Sequence, residues 1–186
     1  MTIKKQQKRN STVREVLEWV ISLAVAVALA LAVHTWVGQL ITVSGPSMQN
    51  GLWTGERVVV GKAEYYFRKP RLGDIVVVMY PNSSVNYIKR IIGTGGDTLR
   101  ISGGKVILNG KVLNEPYIPE PMQQDMEETT VAEGTVFVMG DNRNNSSDSR
   151  ERGFVPVSRI VGRVYSIIWP VDKWRKLTAY DGTLGN

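Results

Sequence analysis

The sequence predicts a mainly β domain behind a single N-terminal membrane helix. Three observations predict it. One long apolar run, Trp19 to Val37, lies near the N-terminus. Beyond Leu40 the apolar residues fall into short β-branched stretches with glycine and proline at their boundaries. Nothing after the run shows a helical period that would pack against it as a buried core helix. The 186 residues suffice for one modest domain plus a membrane segment.

Residues 1–18 are polar and basic, with Lys4, Lys5, Lys8, Arg9 and Arg14 against Glu15 and Glu18. Residues 19–37, as a helix, span about 28 Å, against a hydrocarbon core of about 30 Å. Trp19 and Trp36 mark its ends, where amphipathic rings prefer the headgroup level. The basic flank predicts a cytoplasmic N-terminus and an extracytoplasmic remainder. Ala-x-Ala triplets such as Ala28-Leu29-Ala30 allow a cleaved leader. However, the run exceeds the usual apolar region of about 7–15 residues, and no polar segment precedes those alanines. An uncleaved anchor is the expectation.

Residues 38–180 are then the β domain. Strands are expected over Arg57–Val60, Asp74–Tyr80, Asn86–Ile92, Thr98–Ile101, Lys105–Leu108, Thr135–Met139 and Arg163–Trp169. Ser102-Gly103-Gly104 and Asn109-Gly110 are tight-turn signals, so Thr98 to Leu113 should form two successive hairpins. Asn114 to Val131, rich in proline and acid, reads as an excursion over the surface. Residues 181–186 read as a loose tail.

Composition excludes several chemistries. There is no cysteine, hence no disulfide and no thiolate nucleophile or zinc site. The one histidine, His34, lies inside the apolar run, the wrong place for a water-facing base. The formal net charge of +6 is not clustered into a patch that would hold nucleic acid. Ser102-Gly103-Gly104-Lys105 has Ser-x-x-Lys spacing, but two glycines destroy the helix that motif requires. Asn109-Gly110-Lys111 lacks the residues of a phosphate loop. Asp141 to Arg152 fails as a calcium loop at Ser146 and Arg152.

Three stretches remain. Ser44-Gly45-Pro46-Ser47-Met48 follows the apolar run by about ten residues. Tyr87-Ile88-Lys89-Arg90 puts a lysine inside an apolar strand, and Gly140 to Arg150 is a dense polar loop. A serine hydroxyl needs a base to act as nucleophile. Without a usable histidine, a lysine is the remaining candidate. At its ordinary pKa a lysine is neutral in only about one molecule in 2,500 at pH 7, so burial must lower it. Period two puts Tyr87, Lys89 and Ile91 on one face, with Arg90 on the other and near enough to lower the pKa further. If that face is inward, Lys89 is buried; if the strand is an edge, Lys89 faces water. Ser47 has the same two readings, a nucleophile or a serine bonded within its own turn. Gly45 would let backbone approach a ligand and the Ser47 N–H point at an oxyanion.

Ser44-Gly45-x-Ser47-Met48, Gly73-Asp74-Ile75-Val76, Tyr87 to Gly93 ending at Gly96-Asp97, and Gly140-Asp141-Asn142-Arg143 through Asp148-Ser149-Arg150 occur in that order. They resemble the boxes of bacterial type I signal peptidases, over about Val16 to Lys176. The resemblance implies an antiparallel, barrel-like β fold with an apolar surface near the active site, touching the bilayer. It implies a serine endopeptidase in the plasma membrane that removes signal peptides from exported preproteins, cutting after Ala-x-Ala-like sites. It requires no metal and no cofactor. Ser47 would be the nucleophile and oxyanion donor, and Lys89 the general base. Ser146 would orient the lysine amine, and Asp141 and Arg150 would form a supporting ion pair. Gly45, Met48, Tyr87 and Ile88 would line the substrate subsites. Gly45 stands where some relatives carry a serine whose hydroxyl adds an oxyanion donor. The short Thr98–Val131 region implies a compact member without a large inserted domain.

Two departures stand out. Asn50-Gly51 replaces the family's Pro-Thr, and Thr94-Gly95 replaces Leu-Pro. Both imply looser loops beside the dyad. The rival readings are a non-cleaving, membrane-anchored β module that binds signal peptides or surface proteins, and a self-cleaving Ser–Lys repressor. The repressor reading lacks a DNA-binding domain.

Overall fold

A computed structural model describes residues 14–29, 38–81 and 83–177. The chain divides into two compact units, Met1–Gly38 and Gln39–Asn186. In the first, residues 14–29 form helix α1, exposed along its length, with Arg14 and Glu18 paired one turn apart at 3.0 Å. Among the described residues no helix is long and apolar enough to cross a membrane. The expected span 19–37 continues into residues 30–37, which lie outside the described residues, as do His34, most of the basic N-terminus and the expected tail.

The second unit is mainly β, and every strand pair in it is antiparallel. Its larger sheet uses β1 (Gln39–Thr42), β2 (Arg57–Gly61), β3 (Ile75–Met79), β4 (Asn86–Thr94), β9 (Thr135–Met139), β10 (Val155–Pro156), β11 (Ile160–Trp169) and β12 (Arg175–Lys176). The order is β1-β2-β11-β3-β4-β9-β10, with β12 on β11. The smaller sheet has the order β7-β6-β5-β8, from β5 (Thr98–Ser102), β6 (Lys105–Leu108), β7 (Lys111–Val112) and β8 (Met126–Thr130).

The two hairpins form as expected. Asn109 and Gly110 both take positive φ, the backbone that an Asn-Gly turn favours. Ser102 and Lys105 simply face each other across the first turn. The 114–131 excursion departs from expectation, because its second half is β8, paired with β5. Met126-Glu127-Glu128-Thr129-Thr130 lacks the apolar alternation that marks a strand, because none of its residues is buried and Met126 alone packs against an apolar cluster.

Strand β3 shows why the large sheet sits where it does. Ile75 and Val77 enter one apolar cluster, with Met48, Leu52 and Ile167. Val76 and Val78 enter a second cluster, with Tyr80, Ile91 and Val138. Alternation sends successive side chains to opposite faces, and here both faces are covered, which is why the strand reads as a continuous apolar run. Each fully buried side chain contributes about 1.5–3 kcal/mol. A third cluster, with Leu99, Val106, Phe137 and Met139, joins the small sheet to β9. Together these clusters fix β4 between β3 and β9, and β4 carries the lysine.

Candidate active site

Lys89 lies in β4, opposite Val76 of β3, and is only 2% exposed. Tyr87 and Ile91, its neighbours on the same face, pack into the second apolar cluster. That face is therefore inward, and the open alternative of a water-facing lysine does not hold. The Lys89 amine donates to Ser47 Oγ at 2.6 Å. Burial lowers its pKa to about 8; Arg152 and Arg150 push it down further, while Asp148 and Asp141 push it back up. The leading cationic contributions come from Arg152 and Arg150, not from the adjacent Arg90.

Ser47 sits at the head of a tight loop. Pro46 O accepts from Gln49 N at 3.0 Å, and Met48 O accepts from Gly51 N and Leu52 N at 3.0 and 2.7 Å. Met48 and Leu52 anchor this loop in the first apolar cluster. Gly45 is required for its backbone rather than for space: φ is +89°, and a side chain there would meet nothing. The Ser47 N–H makes no hydrogen bond among the described residues.

Asn50 has φ +85°, which proline cannot adopt. At Gly51 a Cβ would lie 2.7 Å from Asp141 Oδ2, and Gly51 O accepts from Arg175 Nη2 at 2.7 Å. Asn50 thus takes a backbone closed to proline, and Gly51 packs close against Asp141 while Arg175 holds its carbonyl. The Thr94-Gly95 departure lies at the far end of β4, where Asp97 Oδ2 accepts from Thr94 N and Oγ1.

The polar loop docks directly on the Ser47 turn. Asn142 N donates to Ser47 O at 3.1 Å, and Asn142 Nδ2 to Pro46 O at 3.2 Å. A Cβ on Gly140 would overlap both Ser47 O and Ser146 Oγ, so this close approach requires glycine. Asp148 organises the loop. Its carboxylate accepts from Gly140 N at 3.0 Å, Ser146 Oγ at 2.7 Å and the Arg150 guanidinium at 2.9 Å, and it caps the short helix Ser149–Arg152. Burial alone would raise the Asp148 pKa, but these donors, Arg150 first, hold it below the usual carboxylate range.

Two expected contacts are not made. Ser146 donates to Asp148, and among the described residues no hydrogen bond joins it to Lys89. Asp141 and Arg150 do not pair with each other. Asp141 takes a two-pronged bond from Arg90, at 2.8 and 2.7 Å, while Arg150 goes to Asp148. The reason is alternation: Arg90, one residue past Lys89, points through the sheet to the side where Asp141 lies, while Arg150 is held within reach of Asp148 by its own helix turn. Sequence reasoning missed the role of Arg143, which is fully buried. It pairs with Glu115, bonds Gly140 O at 3.0 Å and so ties the polar loop to the 114–125 segment. Only the Arg143 half of that pair lay in a recognised motif.

A small cleft of about 170 Å³ opens beside Ser47 and Lys89. Gly45, Met48, Tyr87 and Ile88, the four expected subsite residues, all line it, as do Thr42 and Val85. Its two walls are strand edges. Among the described residues β1 pairs only with β2, and β4 meets β9 only from Arg90 onward, so the outer edge of Asn86–Lys89 is unpaired within the described sheet. No group of acidic or histidine side chains among the described residues could hold a metal.

The family description "Signal peptidase, peptidase S26" matches residues 16–169. This chain belongs to that family. It is 37% identical to a signal peptidase I of Leptolyngbya laminosa over 87% of this chain and 83% of the relative. It is 35% identical to a signal peptidase I of Bacillus licheniformis over 92% and 98%. A crystal structure of a signal peptidase I from Enterococcus faecalis V583 aligns with a TM-score of 0.47 at 33% identity, covering 52% of this chain and 97% of that one. Membership makes the chain a signal-peptide-cleaving serine endopeptidase.

Proposed function

We propose that Ser47 and Lys89 are the catalytic dyad of this peptidase and that exported preproteins are its substrates. The observation that carries the reading is the 2.6 Å contact between a buried lysine amine and a half-buried serine hydroxyl. In its neutral form Nζ offers a lone pair to the hydroxyl. Ser47 Oγ attacks the scissile carbonyl while Lys89 takes its proton. The free Ser47 N–H stabilises the oxyanion. As the C–N bond breaks, the Lys89 ammonium gives the proton to the leaving amine, and the signal peptide remains as an ester on Ser47. Lys89 then deprotonates the water that releases it. Asp148, Asp141 and Asn142 hold the loops that set this geometry, and Ser146 acts through Asp148.

The open edges of β1 and β4 suit an extended peptide lying between them as an added strand. The cleft volume is below the roughly 300 Å³ at which ordinary ligand pockets begin, which suits alanine-sized side chains. Residues 19–37 anchor the chain in the plasma membrane, with residues 1–18 in the cytoplasm and the catalytic domain outside. Exposed Trp169, Val171 and Trp174, near the Arg57 end of β2, suit contact with the headgroup level of the bilayer.

The test is cleavage of a preprotein with an Ala-x-Ala site by the purified full chain in detergent. The native protein should cut after the last alanine and Ser47→Ala should not. Replacing that alanine by phenylalanine should slow cutting by about 100-fold, the cost of a scissile bond misplaced by about 1 Å. Cutting by Ser47→Ala, or equal cutting at phenylalanine, would refute the reading.

A further inference from the structure

Three arginines near the dyad are each matched to a carboxylate: Arg90 to Asp141, Arg143 to Glu115 and Arg150 to Asp148. Arg152 is not. Among the described residues it has no carboxylate partner; its Nε donates to Ser147 Oγ at 2.7 Å. Its guanidinium lies over the Tyr87 ring at 5.0 Å and the Tyr80 ring at 5.5 Å. Those two rings meet edge to face at 5.4 Å and 76°, forming an aromatic corner. The Lys89 amine sits at the same Tyr87 ring, 5.8 Å from its centre. Tyr87 also lines the cleft.

We propose that Arg152 is a positioning residue for the Lys89 base: its unneutralised charge, stacked on the Tyr80–Tyr87 corner, disfavours a second cation at Lys89 and holds Tyr87 as the wall of the cleft. This rests on the reading of Lys89 as the base. The other charges facing Lys89 largely cancel. Asp148 is matched by Arg150, and Asp141 by Arg90 on the opposite face. Glu151 is exposed. The packed strands β3 and β9 and the nucleophile loop 43–52 bring no charged residue. With those pairs closed, the odd cation decides the sign of the local field. Burial among the apolar cluster supplies the main depression at Lys89, and Arg152 is the leading cation adding to it. Arg152 is itself exposed, so solvent screens it and its share is modest.

The experiment is the pH profile of kcat/KM for signal-peptide cleavage by the full chain, with Arg152→Met and Arg152→Lys beside the native protein. Methionine keeps an apolar stem on the rings but removes the charge; lysine keeps the charge. Removing a cation makes protonation of Lys89 easier, so its pKa rises and the acid limb moves to higher pH. The expected shift for Arg152→Met is about half a unit, an about threefold loss at pH 7 that shrinks above pH 9. Arg152→Lys should restore most of the native profile. An unmoved limb, or a loss equal at every pH and accompanied by a lower Tm, would overturn the proposal. A native profile with no acid limb would instead overturn the reading of Lys89 as base, and this role for Arg152 with it.

Discussion

Lys89 and Arg90 are consecutive residues of one strand, both cationic in water and both buried, at 2% and 5% exposure. They end in opposite states. Burial alone would lower both pKa values. At Arg90 the two-pronged bond to Asp141 outweighs burial and raises the pKa; stacking on Tyr117 at 3.9 Å covers the guanidinium further. At Lys89 the nearest partner is a hydroxyl, and the pKa falls to about 8. Adjacent positions reach opposite faces of a sheet, so one residue of displacement separates a structural cation from a group able to lose its proton. A buried cation is locked on by a carboxylate and unlocked by its absence.

The contrast is sharpest in stability. Arg90→Met leaves Asp141 buried without its cation, and breaking a buried pair from one side costs about 3–5 kcal/mol. Chemical denaturation at pH 7 should show that loss, with the midpoint falling and the slope unchanged. A neutral result would mean the Asp141 carboxylate is solvated and the two faces are alike.

Lys89→Met should do the reverse. The native lysine titrates near 8 and the unfolded one near 10.5, so below pH 8 it is protonated in both states and its burial opposes folding. Methionine should therefore stabilise by up to about 3 kcal/mol at pH 7 while abolishing cleavage. Native stability rises as pH climbs from 8 to 10.5, where the unfolded state holds the extra proton, so the gain should shrink over that window. Destabilisation by Lys89→Met at pH 7 would break the comparison.

Smallest is the effect at Gly51. A methyl group there meets Asp141 Oδ2, so Gly51→Ala must push either the carboxylate off Arg90 or the Ser47 loop away from Asp141. The expected cost is about 1–3 kcal/mol, with a fall in kcat larger than the change in KM. An alanine variant with native Tm and kcat would show that the loop and Asp141 can move apart without cost.

How much of this was legible in the sequence follows from the range of each interaction. Runs such as Ile75 to Met79 announce a strand because its apolar content is local. The inward face of Lys89 needed only period two and one assumption about burial. β8 was hidden because Glu127, Glu128 and Thr129 look like surface loop, and only pairing with β5 makes them a strand. The ion pairs were misassigned for a similar reason. Motif order places Asp141 and Arg150 in one box, but the partner of Asp141 is 51 residues away, on the reverse side of the lysine strand. Arg143 with Glu115, 28 residues apart, had no local signal at Glu115 at all. The Asn50-Gly51 departure was visible, but whether it loosens or reshapes the turn depends on Asp141 and Arg175, and only the fold brings those together.

The central claim is that Lys89 acts as a neutral amine on Ser47. The pH dependence of kcat/KM, from about 6 to 10, tests it most directly, with Lys89→Arg measured in parallel. A neutral Lys89 base requires a rate rising about tenfold per unit on the acid side, bending near the Lys89 value of about 8. Lys89→Arg should lose about 10³-fold or more, because guanidinium stays protonated throughout. A flat profile, with Lys89→Arg turning over at a near-native rate, would contradict it.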